Sequence, residues 1–143
     1  MSAGRGLVLS DAALVAFVAS RDLDASHAFY AGVLGLQRVE ASAYANLYRT
    51  HGAELRVTRA EATAAAHTVA GWTVPDIASA VGELAARGVV FQRYEALDQT
   101  PAGTWTSPSG ARVAWFKDPD DNTLSVTEPP PAARLSPART RSR

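Results

Sequence analysis

The run Leu55-Arg56-Val57-Thr58 returns as Leu124-Ser125-Val126-Thr127, and it returns at the same place in a longer pattern. Upstream, Ser20-Arg21-Asp22-Leu23 aligns with Val74-Pro75-Asp76-Ile77, and Gly35-Leu36 aligns, one residue shifted, with Gly88-Val89. Strand, helix start, helix-stopping glycine and closing strand recur in order, so the chain reads as one unit built twice. The closing arm of the second copy is the most explicit. Two strand-like runs, Arg112–Lys117 and Thr123–Thr127, flank Asp118-Pro119-Asp120-Asp121-Asn122, whose residues supply a fixed φ, side-chain bonds to backbone and tolerance of left-handed geometry. That is a hairpin.

Each copy can be read along the chain. Leu14–Ser20 is a continuous apolar run and predicts a buried strand. Asp22, Asp24 and Ser26 offer caps for a helix over Ala25–Leu34, with Phe29, Val33 and Leu34 on one face and Gly35 as its stop. Leu36–Ala41, Tyr44–Arg49 and Ala53–Thr58 predict three strands, the last two joined by a tight turn at Thr50-His51-Gly52. The second copy opens with a strand at Val69–Val74. Pro75-Asp76 then starts a helix to about Arg87 that turns Ile77, Val81 and Leu84 inward, and a strand is expected at Val89–Tyr94. Residues 95–110 form one long connection containing Trp105, and connections of that length are often functional covers. The expected divisions are a flexible start over 1–12, with Leu7-Val8-Leu9 as an optional edge strand, a first βαβββ module over 13–59 and a connector over 60–66 with a short alanine-rich helix. A second module over 67–128 and a disordered Pro/Arg-rich tail over 129–143 complete the chain.

Composition narrows the function. Four of the fourteen basic residues lie in the last ten positions, leaving ten basic against fourteen acidic groups in residues 1–133. The body thus has no basic footprint for nucleic acid. The absence of cysteine excludes disulfides, thiolate catalysis and Cys-ligated zinc. The apolar start is interrupted by Asp11, and no run approaches the roughly 20 apolar residues of a membrane helix. A cytoplasmic protein without membrane partners is expected.

The duplicated βαβββ unit, the helix motif Phe29-Tyr30 followed by Leu34-Gly35-Leu36, and the closing Phe116-Lys117-Asp118-Pro119-Asp120-Asp121-Asn122 together resemble the vicinal oxygen chelate superfamily. That group contains glyoxalase I, bleomycin-resistance proteins, fosfomycin-resistance enzymes and extradiol dioxygenases. Asp121 stands where the family usually has glycine, a tolerable exchange because aspartate enters the left-handed region more readily than most residues. The resemblance covers residues 13–128. It implies an α+β fold of two cup-shaped mixed sheets that meet around a cavity, and a homodimer. It also implies four metal-ligand positions, which fall at Val15, Arg56, Val69 and Ser125. Two valines, a guanidinium and a hydroxyl do not make a divalent site, so no metal and no cofactor is expected. Of the histidines, His27 reads as an exposed helix residue and His51 as a turn residue. His67 could share a face with Glu54, but two ligands make a weak site.

Strand alternation then populates the cup. With Val15, Arg56, Val69 and Ser125 facing inward, so do Phe17, Glu54, Thr58, Gly71, Thr73, Thr123 and Thr127, while Leu124 and Val126 face the helices. Taking Leu47 and Phe116 as core sends Tyr44, Asn46, Tyr48, Val113 and Trp115 to the cavity. The expected ligand-binding set is Tyr44, Asn46, Tyr48, Glu54, Arg56, Trp105, Trp115 and Ser125: aromatic walls with a few polar hooks, suited to a flat small molecule. Glu54 and Arg56 either anchor a ligand or pair with each other, and Trp72 reads as core beneath a helix. Three functions remain open. One is a metal-free binder of the bleomycin-resistance type, sequestering an antibiotic-like molecule, with no catalytic residue. Another is a glyoxalase-like lyase or isomerase using Glu54, His67 or Tyr48. Against it, a cation beside Glu54 would weaken that carboxylate as a base. The third is a scaffold acting through its surface or its arginine-rich tail.

Overall fold

The repeat in sequence reappears as a repeat in topology. The computed structural model describes residues 9–61 and 66–131, and the chain falls into two units that divide between Ala62 and Thr63. The first contains β1 (Leu14–Ser20), α1 (Leu23–His27) continuing as π-helical turns through Ala28–Val33, β2 (Gln37–Ala41), β3 (Ala45–Thr50) and β4 (Ala53–Arg59). Its sheet has the order β1-β4-β3-β2, with β1 parallel to β4 and the other pairs antiparallel. The second contains β5 (Thr68–Thr73), α2 (Ile77–Ala86), β6 (Trp105–Thr106), β7 (Arg112–Lys117) and β8 (Thr123–Glu128). Its order, β5-β8-β7-β6, repeats the first with the same parallel pairing of outer and closing strands. The expected α+β class with two mixed sheets is what the chain adopts.

Local chemistry accounts for these elements. Asp22 caps α1 by accepting the Asp24 and Ala25 amides, and Asp76 caps α2 by accepting the Ser79 amide, satisfying donors a helix start leaves open. His51 (φ 37°) and Gly52 (φ 86°) form a two-residue turn with both central φ values positive, the geometry that matches strand twist. At the other hairpin Asp121 adopts φ 67°. There Asp118 Oδ1 accepts the amides of Asp120 and Asn122 at 2.9 Å each, and Oδ2 accepts the Asn122 side-chain amide. That carboxylate holds the turn in shape.

Each sheet buries one face. In the first unit Val18, Tyr48, Leu55 and Val57 pack with Leu23 and Tyr30; in the second Ala114, Phe116, Leu124 and Val126 pack with Ile77 and Val81. Each large apolar side chain so buried contributes about 1.5–3 kcal/mol. Glu128 is buried in the second core, where its carboxylate accepts the Ile77 amide at 2.9 Å and pairs with Arg112 at 2.9 Å. One side chain thereby ties β8 to β7 and to the start of α2.

Two expectations of secondary structure are corrected. Val89–Tyr94 is not a strand: it contributes a single bridge, Phe91 to Phe116, and one further bond from the Gln92 amide to the Trp115 carbonyl. The reason is Gln99, whose Oε1 accepts the Tyr94 amide and whose Nε2 donates to the Gln92 and Gly103 carbonyls. Its amide occupies the groups a neighbouring strand would have used. Conversely, the long connection holds the short strand β6, so Trp105 is a paired sheet residue rather than a free cover. Leu9 lies in a turn. Residues 1–8 of the expected flexible start, with Leu7 and Val8, lie outside the described residues. So do 62–65 of the connector helix and 132–143 of the tail.

Candidate functional site

The second sheet turns Trp105 and Trp115 away from α2. Register places Gly71, Ser125 and Trp115 side by side across β5, β8 and β7, with Thr73, Thr127, Val113 and Trp105 in the adjacent row. Because side chains alternate, all of these lie on the face opposite α2. Trp105 and Trp115 are both half-buried, their rings 6.0 Å apart and inclined at 33°. Tyr94 meets Trp115 edge-on at 5.4 Å, an arrangement that suits the charge distribution of the rings. Ser125 is buried beside them, and Gly71 makes room for it: a Cβ at that position would run into Ser125 Oγ. Two indoles, a phenol edge and the hydroxyls of Ser125 and Thr127 give a surface for stacking a flat molecule and fixing its orientation by hydrogen bonds.

The first sheet's open face is different. Val15 and Glu54 are partners, as are Phe17 and Arg56, and on the other side of β4 Leu47 pairs with Arg56 and Arg49 with Glu54. Phe17 is 62% exposed. Glu54 forms an ion pair with Arg49 at 3.3 Å, not with Arg56 as the alternative of mutual neutralisation had it. Arg56 is half-buried, and its guanidinium has no ion-pair or hydrogen-bond partner among the described residues.

Three of the expected ligand contacts lie elsewhere. Tyr48 and Asn46 pair with Leu55 and Val57, so both belong to the helix-covered face, and both are buried. Tyr48 packs against Tyr30 and His27 at 5.8 and 5.9 Å, and its hydroxyl shares a 2.9 Å hydrogen bond with His27 Nδ1. Burial pushes this phenol above its ordinary range, opposed by the charge of Arg38 and a hydrogen bond with Asn46. Tyr44 stands 76% exposed in the turn before β3. The error is one of parity. Hydrophobicity points to Leu47 as the core residue, whereas the tyrosine is buried because His27 of α1 satisfies its hydroxyl. His27 is accordingly half-buried and bonded rather than a bare surface residue. Of the eight residues, Trp105, Trp115 and Ser125 come together in the second unit, and Glu54 and Arg56 share a face in the first. Tyr94 was missed, although it is an aromatic two residues beyond Gln92, which bonds Trp115.

The metal positions implied by the resemblance do not fit a cation. Val15 offers no lone pair, Arg56 would repel the ion, and Val69 lies at an irregularity between Thr68 and Ala70 in the pairing of β5 with β8. Only Ser125 offers a donor atom, and a hydroxyl alone does not hold a divalent ion. His67 is exposed, and among the described residues no three His, Cys, Asp or Glu side chains gather into a ligand set. Among those residues, too, no helix is long and apolar enough to cross a membrane.

The sequence model of the glyoxalase/bleomycin resistance protein/dioxygenase superfamily matches residues 13–126. Solved structures agree. A glyoxalase/bleomycin resistance protein/dioxygenase from Nocardioides superposes with a TM-score of 0.66 at 17% identity, covering 90% of this chain and 89% of its own. A glyoxalase/bleomycin resistance protein from Catenulispora acidiphila gives 0.63 at 22% identity over 82% of this chain and 98% of its own. A lactoylglutathione lyase from Agrobacterium tumefaciens gives 0.61 at 21%, covering 82% and 93%. At these identities the shared property is the fold. A comparison with proteins of curated function returned no match.

Proposed function

The chain belongs to the glyoxalase/bleomycin resistance protein/dioxygenase superfamily, and from that premise we propose that it is a metal-free small-molecule-binding protein that holds a partly aromatic ligand against its tryptophan face. The observation that carries this reading is the half-buried pair Trp105 and Trp115, backed by Tyr94, on an open sheet face. Clustered aromatic surface left in reach of water in a folded protein often marks a binding site. The excess of acidic over basic groups in residues 1–133 favours a cationic ligand, and sequestration rather than turnover follows from the unsuitable donor set. In this reading the protein works in the cytoplasm as a homodimer, without nucleic-acid or membrane partners.

Tryptophan fluorescence tests it. In a Trp72→Phe background, which leaves only Trp105 and Trp115 as reporters, planar aromatic cations such as ethidium should quench emission saturably. Trp115→Ala should abolish the saturable phase. Unsaturable quenching by every cation tried, or saturation that survives Trp115→Ala, overturns the binder. The second reading, a glyoxalase-like lyase or isomerase, is favoured only by the likeness to the Agrobacterium lyase. Stoichiometric zinc, nickel, manganese or iron in the purified protein would establish it over the first.

A further inference from the structure

The second unit has a groove on the opposite side of its sheet from Trp105 and Trp115. Trp105 and Val113 pair on the open face, so their neighbours Thr106 and Arg112 pair on the face that α2 covers. Between that face and α2 lies a groove of about 500 Å3, within the range of about 300–1,000 Å3 that suits small-molecule sites. It exists because β6 is only two residues long and because α2 presents Ala78, Gly82 and Ala85 to it. Those three positions follow one side of the helix over roughly 10 Å at about 1.5 Å per residue, so that side of the groove is apolar. Phe91 adds an aromatic wall. The loop packs against that ring at Gly103, whose φ is 100° and where a Cβ would lie 2.9 Å from the Phe91 Cβ.

The walls are not neutral. Arg93 and Arg112 both line the groove. Arg112 is balanced by Glu128. Arg93 is not: its Nη1 donates to the Thr100 and Pro101 carbonyls at 2.7 and 3.2 Å, and no carboxylate among the described residues pairs with it. Neutral carbonyls hold the guanidinium in place while leaving its charge uncompensated. A largely apolar groove with one uncancelled cation at its exposed rim is complementary to an amphiphile carrying a single negative charge. The chain's own tail fits poorly, since its four arginines would be repelled.

We propose that this groove binds an aliphatic monocarboxylate of medium length, its chain along Ala78, Gly82 and Ala85 and its carboxylate on Arg93. The site is separate from the tryptophan face, so each stands or falls alone.

Amide chemical shifts of the full chain, followed through titration with octanoate and, separately, octylammonium, test the proposal. Octanoate should shift Ala78, Gly82, Ala85 and Phe91 saturably, and octylammonium should not. Gly82→Leu fills the groove without a collision, because a Cβ there meets nothing within 4 Å, and leucine is the better helix former. That variant should fold and lose octanoate binding by more than about tenfold. Arg93→Gln should weaken octanoate by a similar factor. An absent response to millimolar octanoate, an equal response to octylammonium, or undiminished binding in folded Gly82→Leu overturns the proposal.

Discussion

The two units share strand order, helix position and turn chemistry, yet Tyr48 of the first and the pair Trp105 and Trp115 of the second stand on opposite faces of their sheets. In the first, Tyr30, Tyr48 and His27 fill the space under the helix, and the open face carries Arg49, Glu54, Arg56, Leu47 and Phe17. In the second, the space under the helix holds Ala114, Phe116, Leu124 and Val126 against Ile77 and Val81, with Trp72 beside Val126, while Trp105 and Trp115 stand on the open face. A duplicated backbone therefore fixes which positions face which way without fixing what they do. Where a polar partner such as His27 lies under the helix, a tyrosine can be buried; Trp105 and Trp115, on the face away from the helix, stay only half-buried.

The sharpest way to break this contrast is to truncate one ring on each sheet. Tyr48→Ala should cost about 3–5 kcal/mol, the range for removing a fully buried aromatic side chain, and should leave the tryptophan face intact. Trp115→Ala should cost below about 2 kcal/mol, because a half-buried ring retains contact with water, while removing ligand quenching. Chemical denaturation of both variants measures the pair. Equal costs would mean that the two rings are not in the opposed environments described.

Next in size is Glu128→Ala. The carboxylate satisfies the Ile77 amide and faces Arg112, so its loss leaves a buried helix-start donor unpaired and should cost about 1–3 kcal/mol. Denaturation with hydrogen exchange at Ile77 reads both consequences. A loss confined to global stability, with Ile77 still protected, would show that the helix start does not depend on this residue.

These residues also show what the sequence could and could not disclose. Duplication, turn residues and caps act within a few positions, so Asp22, Asp76, Gly52 and Asp121 identified helix starts and hairpins from the chain alone. The facing of β7 and β8 was equally readable, because Leu124 and Val126 alternate cleanly with Ser125 and Thr127. The facing of β3 was not. Asn46, Leu47 and Tyr48 alternate between two plausible assignments, and the deciding contact comes from His27, twenty-one residues away. The missing strand at 89–94 has a similar cause, since Gln99 acts from the far side of a loop. The groove was invisible because it arises from the shortness of β6, a property of pairing rather than of composition.

A smaller effect isolates the hydroxyl of Tyr48. Tyr48→Phe should cost about 0.5–1.5 kcal/mol at neutral pH through the lost bond to His27. It should also change the alkaline limb. Burial holds the phenol's folded value above the unfolded value of about 10, so its contribution is complete below that pH. It is lost as pH rises through the folded value, because ionisation favours the unfolded chain. The parent should therefore lose stability more steeply than Tyr48→Phe above about pH 10. Parallel curves would place the hydroxyl in contact with solvent.

The smallest effect comes from comparing the two ion pairs, which look alike in distance, 3.3 Å for Arg49–Glu54 and 2.9 Å for Arg112–Glu128. Their settings differ. Glu54 and Arg49 lie on the open face with side chains 29% and 58% exposed, whereas the Glu128 side chain is 10% exposed. Water and salt already screen the first pair, so Glu54→Gln should change stability by about 0.2–1 kcal/mol, and the change should shrink further in about 1 M salt, where charges are screened within roughly 3 Å. Thermal melts at low and high salt measure both. A loss matching that of Glu128→Ala, or one insensitive to salt, would mean that Glu54 is shielded from water. The open face of the first sheet would then be covered, and the contrast between the two sheets would have to be redrawn around whatever covers it.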